Sequence, residues 1–308
     1  MSQDYKQIIQ REYLNCVKSP VHFMKKYCKI QHPTKGKIKF NLYDYQQEML
    51  TDFVDNRYNI ILKSRQLGIS TLSAGYSLWM MLFNQDKNIL VIAKDKDTAK
   101  NLVTKVRIMY ANLPQWLKTK VIEDNKLSLV FSNGSQIKAV AATAEAGRSE
   151  ALSLLVIDEA AFIDKIDSIW TAAQQTLATG GDCIALSTPN GVGNWFHQQW
   201  MGALDGSNKF NTIKLHWTCH PERDDAWRAE QDKVLGPSQA AQECDADFLT
   251  SGESVVDPQI LSWYKENQVC EPVEKLGVDN NLWIWEQPDY TKEYIVVADV
   301  ARGDAADF

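Results

Sequence analysis

Short apolar runs alternate with amphipathic stretches over residues 58–217, and this alternation constrains the fold more than any other feature of the sequence. Ser70–Phe83 and Asp97–Ala111 have the apolar spacing of helices. The runs have the length of buried strands, and they include Tyr58–Lys63, Asn88–Ala93, Leu154–Ile157, Asp182–Ser187 and Phe210–Trp217. Strands that alternate with helices predict an α/β protein with a mostly parallel sheet.

Other segments complete the predicted outline. The first forty residues are polar and aromatic, and they predict helices that end in a basic turn, HPTKGKIKF. Asn133-Gly134 is a strong hairpin turn signal between two short apolar runs. The pattern is helical and polar from Pro221 to about Leu249. Tyr294–Val300 predicts a fresh strand, which would open a second domain.

A strand, a turn and a helix follow one another in YNIILKSRQLGIST, which is the context that a phosphate-binding loop requires. The standard loop is G-x-x-x-x-G-K-[ST]. Gly68 and Ser70 match it, but Lys63 replaces the first glycine and Ile69 replaces the usual lysine. An alkyl side chain cannot neutralise phosphate. We therefore assign the charge to Lys63 at the other end of the loop, with Arg65 as the second candidate.

The hydroxyl of Ser70 would hold Mg²⁺ in such a loop. The predicted nucleotide contacts are Lys63, Ser64, Arg65, Gln66, Leu67, Gly68, Ile69, Ser70 and Thr71. Because the motif is broken, a basic strand–helix turn without a ligand stays open as the alternative when the loop is considered alone.

A buried strand ending in two acids follows further along the chain, as SLLVIDE over Ser153–Glu159. This is the Walker B arrangement, in which Asp158 would bind Mg²⁺ and Glu159 would act as general base on the attacking water. The pattern is common by itself. Behind a phosphate loop, with strands between the two, it predicts a nucleotide site.

Three accessory positions extend this prediction. Ser187 and Thr188, at the tip of the next strand, would sense the γ-phosphate, although an ordinary turn explains Pro-Asn-Gly equally well. Gln46 would form hydrogen bonds with the edge of adenine, while Tyr43 stacks on the face of the base. Alternatively, the Tyr43 side chain belongs to the hydrophobic core. Arg148, in a Gly-Ala loop before the Walker B strand, suits an arginine finger for a neighbouring subunit, with a surface salt bridge as the alternative.

Composition narrows the function classes. The net charge of −6 argues against a simple DNA-binding module, but it allows local and transient contacts with DNA. The 6 cysteines form no CxxC pair and predict reduced thiols. His216, Cys219 and His220 are a metal alternative, although an ordinary strand end and turn is the preferred interpretation. No apolar run approaches the roughly 20 residues of a membrane helix.

The order Tyr-x-Gln, SRQLGIST, VIDEAAFI and STPNG resembles the ATPase signature of phage large terminases of the contractile-tailed type. The resemblance implies a P-loop NTPase of the RecA-like (ASCE) class that uses ATP and Mg²⁺. It implies double-stranded DNA, the portal protein of the procapsid and the small terminase subunit as partners. The protein would be a monomer in solution and a ring on the portal, in the host cytoplasm.

The same resemblance implies a domain order and further roles. Ser187 and Thr188 match the coupling motif of the family, and Asp299 matches the first metal-binding carboxylate of its nuclease. One carboxylate cannot build a two-metal site, so we expect no nuclease activity from this chain. The implied domains are a helical segment at 1–50, an ATPase core at 51–219, a helical lid at 220–265, a linker at 266–290 and the start of an RNase H-like nuclease at 291–308.

Two other functions stay open at this point. A helicase-type ATPase of related fold would share the Gln46 feature, but no second motor domain is recognisable in the sequence. A scaffold that lost hydrolysis together with the usual lysine would bind ATP without releasing phosphate. The retained Ser70 and Glu159 count against the scaffold.

Overall fold

The computed structural model describes residues 3–143, 151–248, 260, 263–264, 267–277 and 281–297. The chain forms two compact units, Met1–Pro258 and Gln259–Phe308. Arg148 and Asp299 lie outside the described residues, so the roles predicted for them stay predictions.

The N-terminal region is helical up to residue 27 and then forms a hairpin. The elements are α1 (Gln3–Lys18), α2 (Pro20–Tyr27), β1 (Lys29–His32), β2 (Gly36–Lys39) and α3 (Asp44–Asp55). Ser19 caps α2, since its hydroxyl accepts the His22 N–H at 3.1 Å, and Pro20 occupies the first turn. The predicted helices are confirmed here, while the basic turn is part of a two-stranded antiparallel sheet.

An eight-stranded sheet forms the centre of the first unit, in the order β10-β3-β9-β8-β4-β7-β6-β5. Its strands are β3 (Tyr58–Lys63), β4 (Asn88–Ala93), β5 (Val121–Asp124), β6 (Ser128–Phe131), β7 (Gln136–Ala141), β8 (Leu154–Asp158), β9 (Asp182–Ser187) and β10 (Asn211–Leu215). All neighbours pair in parallel except β7 with β6 and β6 with β5. The predicted mostly parallel α/β sheet is confirmed.

Helices cover both faces of this sheet, which is why its central strands are apolar along most of their length. The helices are α4 (Ile69–Phe83), α5 (Lys96–Ala111), α6 (Ile166–Leu177) and α7 (Trp195–Leu204), with short 3₁₀ turns at Gln115–Leu117, Ala160–Phe162 and Trp217–Cys219. One core lies between the sheet and α2 to α5, and a second lies between the sheet and α6 with α7. Successive residues of β3 alternate between them, because Ile61 belongs to the first core and Ile60 to the second.

Two helices follow β10, namely α8 (Asp225–Leu235) and α9 (Pro237–Cys244). In the second unit, β11 (Glu274–Leu276) pairs antiparallel with β12 (Leu282–Ile284). The predicted strand Tyr294–Val300 is described only over residues 294–297, which are exposed and pair with no described strand. Residues 298–300 lie outside the described residues, so that part of the prediction stays a prediction. None of the helices in the described ranges is long and apolar enough to cross a membrane.

Candidate functional site

Three of the predicted residues end neighbouring strands of the sheet. Lys63 is the last residue of β3, Ser187 the last of β9 and Asp158 the last of β8. Parallel pairing puts Leu62 opposite Ser187 and Leu186 opposite Asp158. The carboxyl ends of these strands therefore share one edge of the sheet, where open α/β folds bind their ligands.

The phosphate loop connects β3 to α4, and Gly68 is the residue that lets it turn. Its φ of +77° lies in the left-handed region, directly before α4 begins at Ile69. A Cβ at this position would lie 2.9 Å from Nε2 of Gln46, so a side chain would also displace this glutamine. Leu67 and Ile69 anchor the loop in the first core, each with 2% exposure.

Lys63 is the basic residue of the loop that faces the acids. It is buried, and its Nζ lies 3.1 Å from Oε1 of Glu159. Arg65 instead has an exposed side chain that pairs with Glu243 of α9 at 2.9 Å. Ile69 occupies the position of the usual lysine but belongs to the core. The geometry therefore favours Lys63 over Arg65 for the charge role.

The two acids at the end of β8 differ in environment. Asp158 is buried, and its Oδ1 has no hydrogen-bond partner among the residues that the structure describes. Burial raises the pKa of Asp158, while Lys63 and the Ser70 hydroxyl oppose this shift. Glu159 has a φ of 54°, a left-handed conformation that costs a non-glycine residue about 1–3 kcal/mol. The Oδ1 of Asp158 and the adjacent Ser70 hydroxyl offer the oxygen ligands that Mg²⁺ prefers.

Lys105 of α5 is a site residue that the sequence analysis missed. Burial lowers its pKa, and the charge of Asp158 opposes the shift, which places a second cation near this acid. Its ammonium makes no ion pair within the described residues. Together with Thr71 it lines a cavity beside the loop. No motif marks this lysine, because an amphipathic helix normally carries such residues on its solvent face.

Gln46 holds the phosphate loop from behind. Its Nε2 donates to the Leu67 carbonyl at 3.0 Å, and its Oε1 accepts the Tyr43 N–H at 3.2 Å. The Tyr45 hydroxyl donates to the same Leu67 carbonyl at 2.9 Å. Both polar ends of this glutamine are thus engaged inside the protein, so its direct structural role is to position the loop.

Tyr43 lies at a cavity of about 300 Å³ that also includes Gln46, Gly68, Thr71 and His220. The rings of Tyr43 and Tyr45 stack at 5.7 Å, and the ring of His220 packs on Tyr43 at 4.6 Å. The tyrosine is half-buried at the wall of this cavity. The volume is at the lower end of small-molecule sites.

The predicted sensor residues are buried at the tip of β9. The Ser187 hydroxyl accepts the Ala161 N–H at 3.1 Å, and Thr188 is buried beside it. Asn190 donates to the carbonyl of the same Ala161 at 3.1 Å. These two bonds connect the tip of β9 to the backbone that follows Asp158 and Glu159. They therefore link the site to the turn after β8.

The front of the phosphate loop is bound to the helical segment after β10. The Arg65 N–H donates to the Glu243 carbonyl at 2.7 Å, and the Ser64 hydroxyl donates to a carbonyl of α9. Arg223 donates to the carbonyls of Arg65 at 3.1 Å and Gln66 at 3.2 Å. Displacement of α8 and α9 would therefore act directly on the loop.

The residues considered as a metal alternative have other contacts. His216 bonds the Thr218 hydroxyl at 2.9 Å, and His220 packs on Tyr43. Cys219 packs against the first core. Over residues 3–143, 151–248 and the described part of the second unit, no group of three or more His, Cys, Asp or Glu residues could hold a metal ion.

A phosphate loop beside a strand that ends in Asp-Glu, on a mostly parallel sheet, defines a P-loop NTPase of RecA-like fold. The comparison with protein families then gives the particular family. The model described as "Terminase large subunit, T4likevirus-type, N-terminal" matches residues 60–278. This is more than half of the chain, and the chain belongs to this family.

Solved structures show the same fold at low sequence identity. The large terminase ATPase domain of Thermus phage P74-26 is 22% identical, with a TM-score of 0.55 over 68% of this chain and 94% of that one. The HK97 bacteriophage large terminase is 17% identical, with a TM-score of 0.61 over 76% of this chain and 55% of that one. A large terminase from a thermophilic bacteriophage, solved in complex with ADP, is 14% identical, with a TM-score of 0.55 over 66% of this chain and 52% of that one.

Proposed function

We propose that this chain binds ATP with Mg²⁺ at the edge formed by Lys63, Ser187 and Asp158, and hydrolyses it. The observation that carries the proposal is the contact of 3.1 Å between Lys63 and Glu159, beside an Asp158 oxygen that has no hydrogen-bond partner in the described part of the chain. A buried cation, a buried acid and a strained glutamate at the end of a phosphate loop are the parts that triphosphate hydrolysis needs.

Each residue has a distinct task in this proposal. Mg²⁺ would bind through Ser70 and Asp158, and it supplies positive charge to the β- and γ-phosphates. Lys63 binds a phosphate oxygen and so releases Glu159 from their ion pair. Glu159 is then free to orient the attacking water and accept its proton. Arg65 keeps its contact with α9 and has a secondary role at most.

The base would lie in the cavity of about 300 Å³ beside Tyr43. The half-buried ring of Tyr43 stacks on adenine, while Gln46 holds the loop that carries the phosphates. Ser187 and Thr188 would sense the γ-phosphate through the backbone that follows Glu159.

The proposed biological role is translocation of double-stranded viral DNA into a procapsid. The support is membership of the terminase family and a fold shared with large terminases. The chain spans 55% of the HK97 protein and 52% of the ADP-bound terminase, so portal docking, a small terminase subunit and endonuclease activity are proposals for the whole protein. In a ring on the portal, Arg148 would act at the neighbouring subunit, and Asp299 would belong to the nuclease site.

Steady-state ATPase measurements on Glu159→Gln and Lys63→Ala test the hydrolysis proposal. We expect Glu159→Gln to lower kcat by about 10²–10⁴-fold, because a general base contributes that much. Nucleotide binding should survive in Glu159→Gln and weaken in Lys63→Ala. Glu230→Gln and Lys126→Ala remove an exposed acid and an exposed lysine and serve as matched controls. Near-normal turnover in Glu159→Gln would contradict the catalytic assignment.

The other two functions predict different outcomes in the same preparations. A scaffold would bind the nucleotide without releasing phosphate, even with DNA present. A helicase-type ATPase would separate the strands of a forked duplex. Packaging into procapsids by the full-length protein, lost in Glu159→Gln, distinguishes a packaging motor from both.

A further inference from the structure

A basic segment stands out in this acidic chain. Residues 13–43 contain 7 lysines and no aspartate or glutamate, although the net charge of the chain is −6. Four of these lysines, Lys29, Lys35, Lys37 and Lys39, belong to the hairpin of β1 and β2 and are exposed. The function proposed above assigns no role to this hairpin.

The hairpin has one basic face and one apolar face. Lys29 pairs with Lys39, and Gln31 pairs with Lys37, so these four side chains project from the same side. The intervening pair includes Ile30, which projects from the opposite side and packs against the first core. The apolar contact fixes the orientation of the hairpin, and the basic face is left to solvent.

This basic face is unfavourable by itself. Lysines directly opposite each other in an antiparallel pair repel, as Lys29 and Lys39 do here. None of Lys29, Lys35, Lys37 and Lys39 makes an ion pair in the parts of the chain that the structure describes. By contrast, Lys26 at the end of α2 pairs with Glu12 at 2.6 Å. The hairpin lysines therefore carry a repulsion that an anionic partner would relieve.

We propose that the basic face of the hairpin, formed by Lys29, Gln31, Lys37 and Lys39, contacts the phosphate backbone of duplex DNA. The inference rests on the DNA-translocating function proposed above and deepens it by naming a contact surface. Lys37 and Lys39 are two residues apart, about 6.7 Å along the strand. Measured along the helix axis of duplex DNA, this distance equals about two phosphate steps of one strand, at roughly 3.4 Å per step. Lysine binds phosphate as a point charge without sequence readout, as a translocating motor requires.

The position of the hairpin links this contact to the nucleotide site. Lys35 and Lys39 line the same cavity as Tyr43, Gln46 and Gly68. A change of the nucleotide bound in this cavity would therefore directly alter the surroundings of the two hairpin lysines that line it. A small basic surface next to the ATP site also suits a motor that must release DNA in each cycle, because few phosphate contacts give weak and reversible binding.

The test is DNA binding by the double variant Lys29→Gln/Lys37→Gln, which leaves the two cavity lysines intact. A labelled duplex of about 30 base pairs is titrated with the chain at several salt concentrations, with the nucleotide held constant. Each phosphate contact contributes a slope of about −0.9 to log K against log[salt]. We expect the slope to become shallower by about 1.8 and the affinity at low salt to fall by at least about tenfold. The ATPase rate without DNA should stay within about twofold of the parent.

The matched control is Lys209→Gln/Lys214→Gln, which removes two exposed lysines that lie outside the hairpin, one just before the edge strand β10 and one within it. It should bind DNA like the parent. An unchanged affinity and slope in the hairpin variant would overturn the inference, and so would a parent that hydrolyses ATP but shows no salt-dependent DNA binding. Unchanged DNA binding with weaker self-association would instead make the hairpin a subunit contact. If the parent chain does not hydrolyse ATP, that result contradicts the proposed function and does not bear on the DNA contact of the hairpin.

Discussion

Replacement of Gln46 by alanine separates two roles for this residue, loop support and adenine recognition. The substitution removes the bonds to the Leu67 carbonyl at 3.0 Å and from the Tyr43 N–H at 3.2 Å. Each bond contributes about 0.5–1.5 kcal/mol, and a buried donor left without a partner costs about 1–3 kcal/mol. Since Tyr45 still bonds the Leu67 carbonyl, we expect a total loss of about 2–3 kcal/mol of stability.

Part of this loss should appear in nucleotide binding, because the loop must be ordered to hold phosphates. An effect of about 1.4 kcal/mol on loop ordering corresponds to a tenfold rise in Kd. The assay compares the Kd of ATP and of GTP for the parent and Gln46→Ala. If Gln46 positions the loop, both values rise by the same factor. Gln47→Ala is the matched control, since its side chain bonds Leu42 and Asp44 and not the loop.

An effect confined to ATP would refute the positioning argument. It would mean that the glutamine reads adenine, as the sequence analysis predicts, despite its contacts inside the protein. Equal Kd values for the parent and Gln46→Ala would refute both roles.

Two further predictions concern stability. In urea denaturation, Gly68→Ala should lower the free energy of unfolding by more than Gly36→Ala. Both residues have a positive φ, which costs alanine about 1–2 kcal/mol, but of the two only Gly68 has a neighbour, Gln46, within 4 Å of the added Cβ. Equal losses of stability in the two variants would contradict this reasoning. Burial raises the pKa of Asp182 to about 6, so the folded state binds a proton more tightly than the unfolded state and stability falls as pH rises from about 4 to 6. Asp182→Asn should therefore stabilise the protein by about 1–3 kcal/mol at pH 7 and have little effect at pH 4, whereas an equal effect at both pH values would exclude this linkage.

The sheet was predictable where the strands are buried on both faces. The bounds of β3, β4 and β9 agree with the apolar runs, because a continuous apolar run of strand length is what such a strand requires. The strand β5 (Val121–Asp124) and the hairpin of β1 and β2 were missed. They are short and mostly exposed, so they lack the apolar pattern from which a strand is predicted.

The site was predictable in its residue types but not in its contacts. The motifs identify Lys63, Asp158 and Glu159, while the position of β9 between β3 and β8 depends on strand order, which no local pattern contains. Lys105 and Glu243 reach the site from α5 and α9, far along the chain. Tertiary packing brings such residues together, and a single sequence gives no signal for it.

In the proposed site, Lys63 supplies the charge that the usual lysine supplies in a standard loop. A crystal structure of the chain with Mg²⁺ and a non-hydrolysable ATP analogue tests it most directly. We expect the Lys63 Nζ to lie within hydrogen-bond distance of a phosphate oxygen and no longer 3.1 Å from Glu159, with the metal on Ser70 and Asp158. A triphosphate held by Arg65 while Lys63 stays paired with Glu159, or a loop that binds no nucleotide, would contradict it.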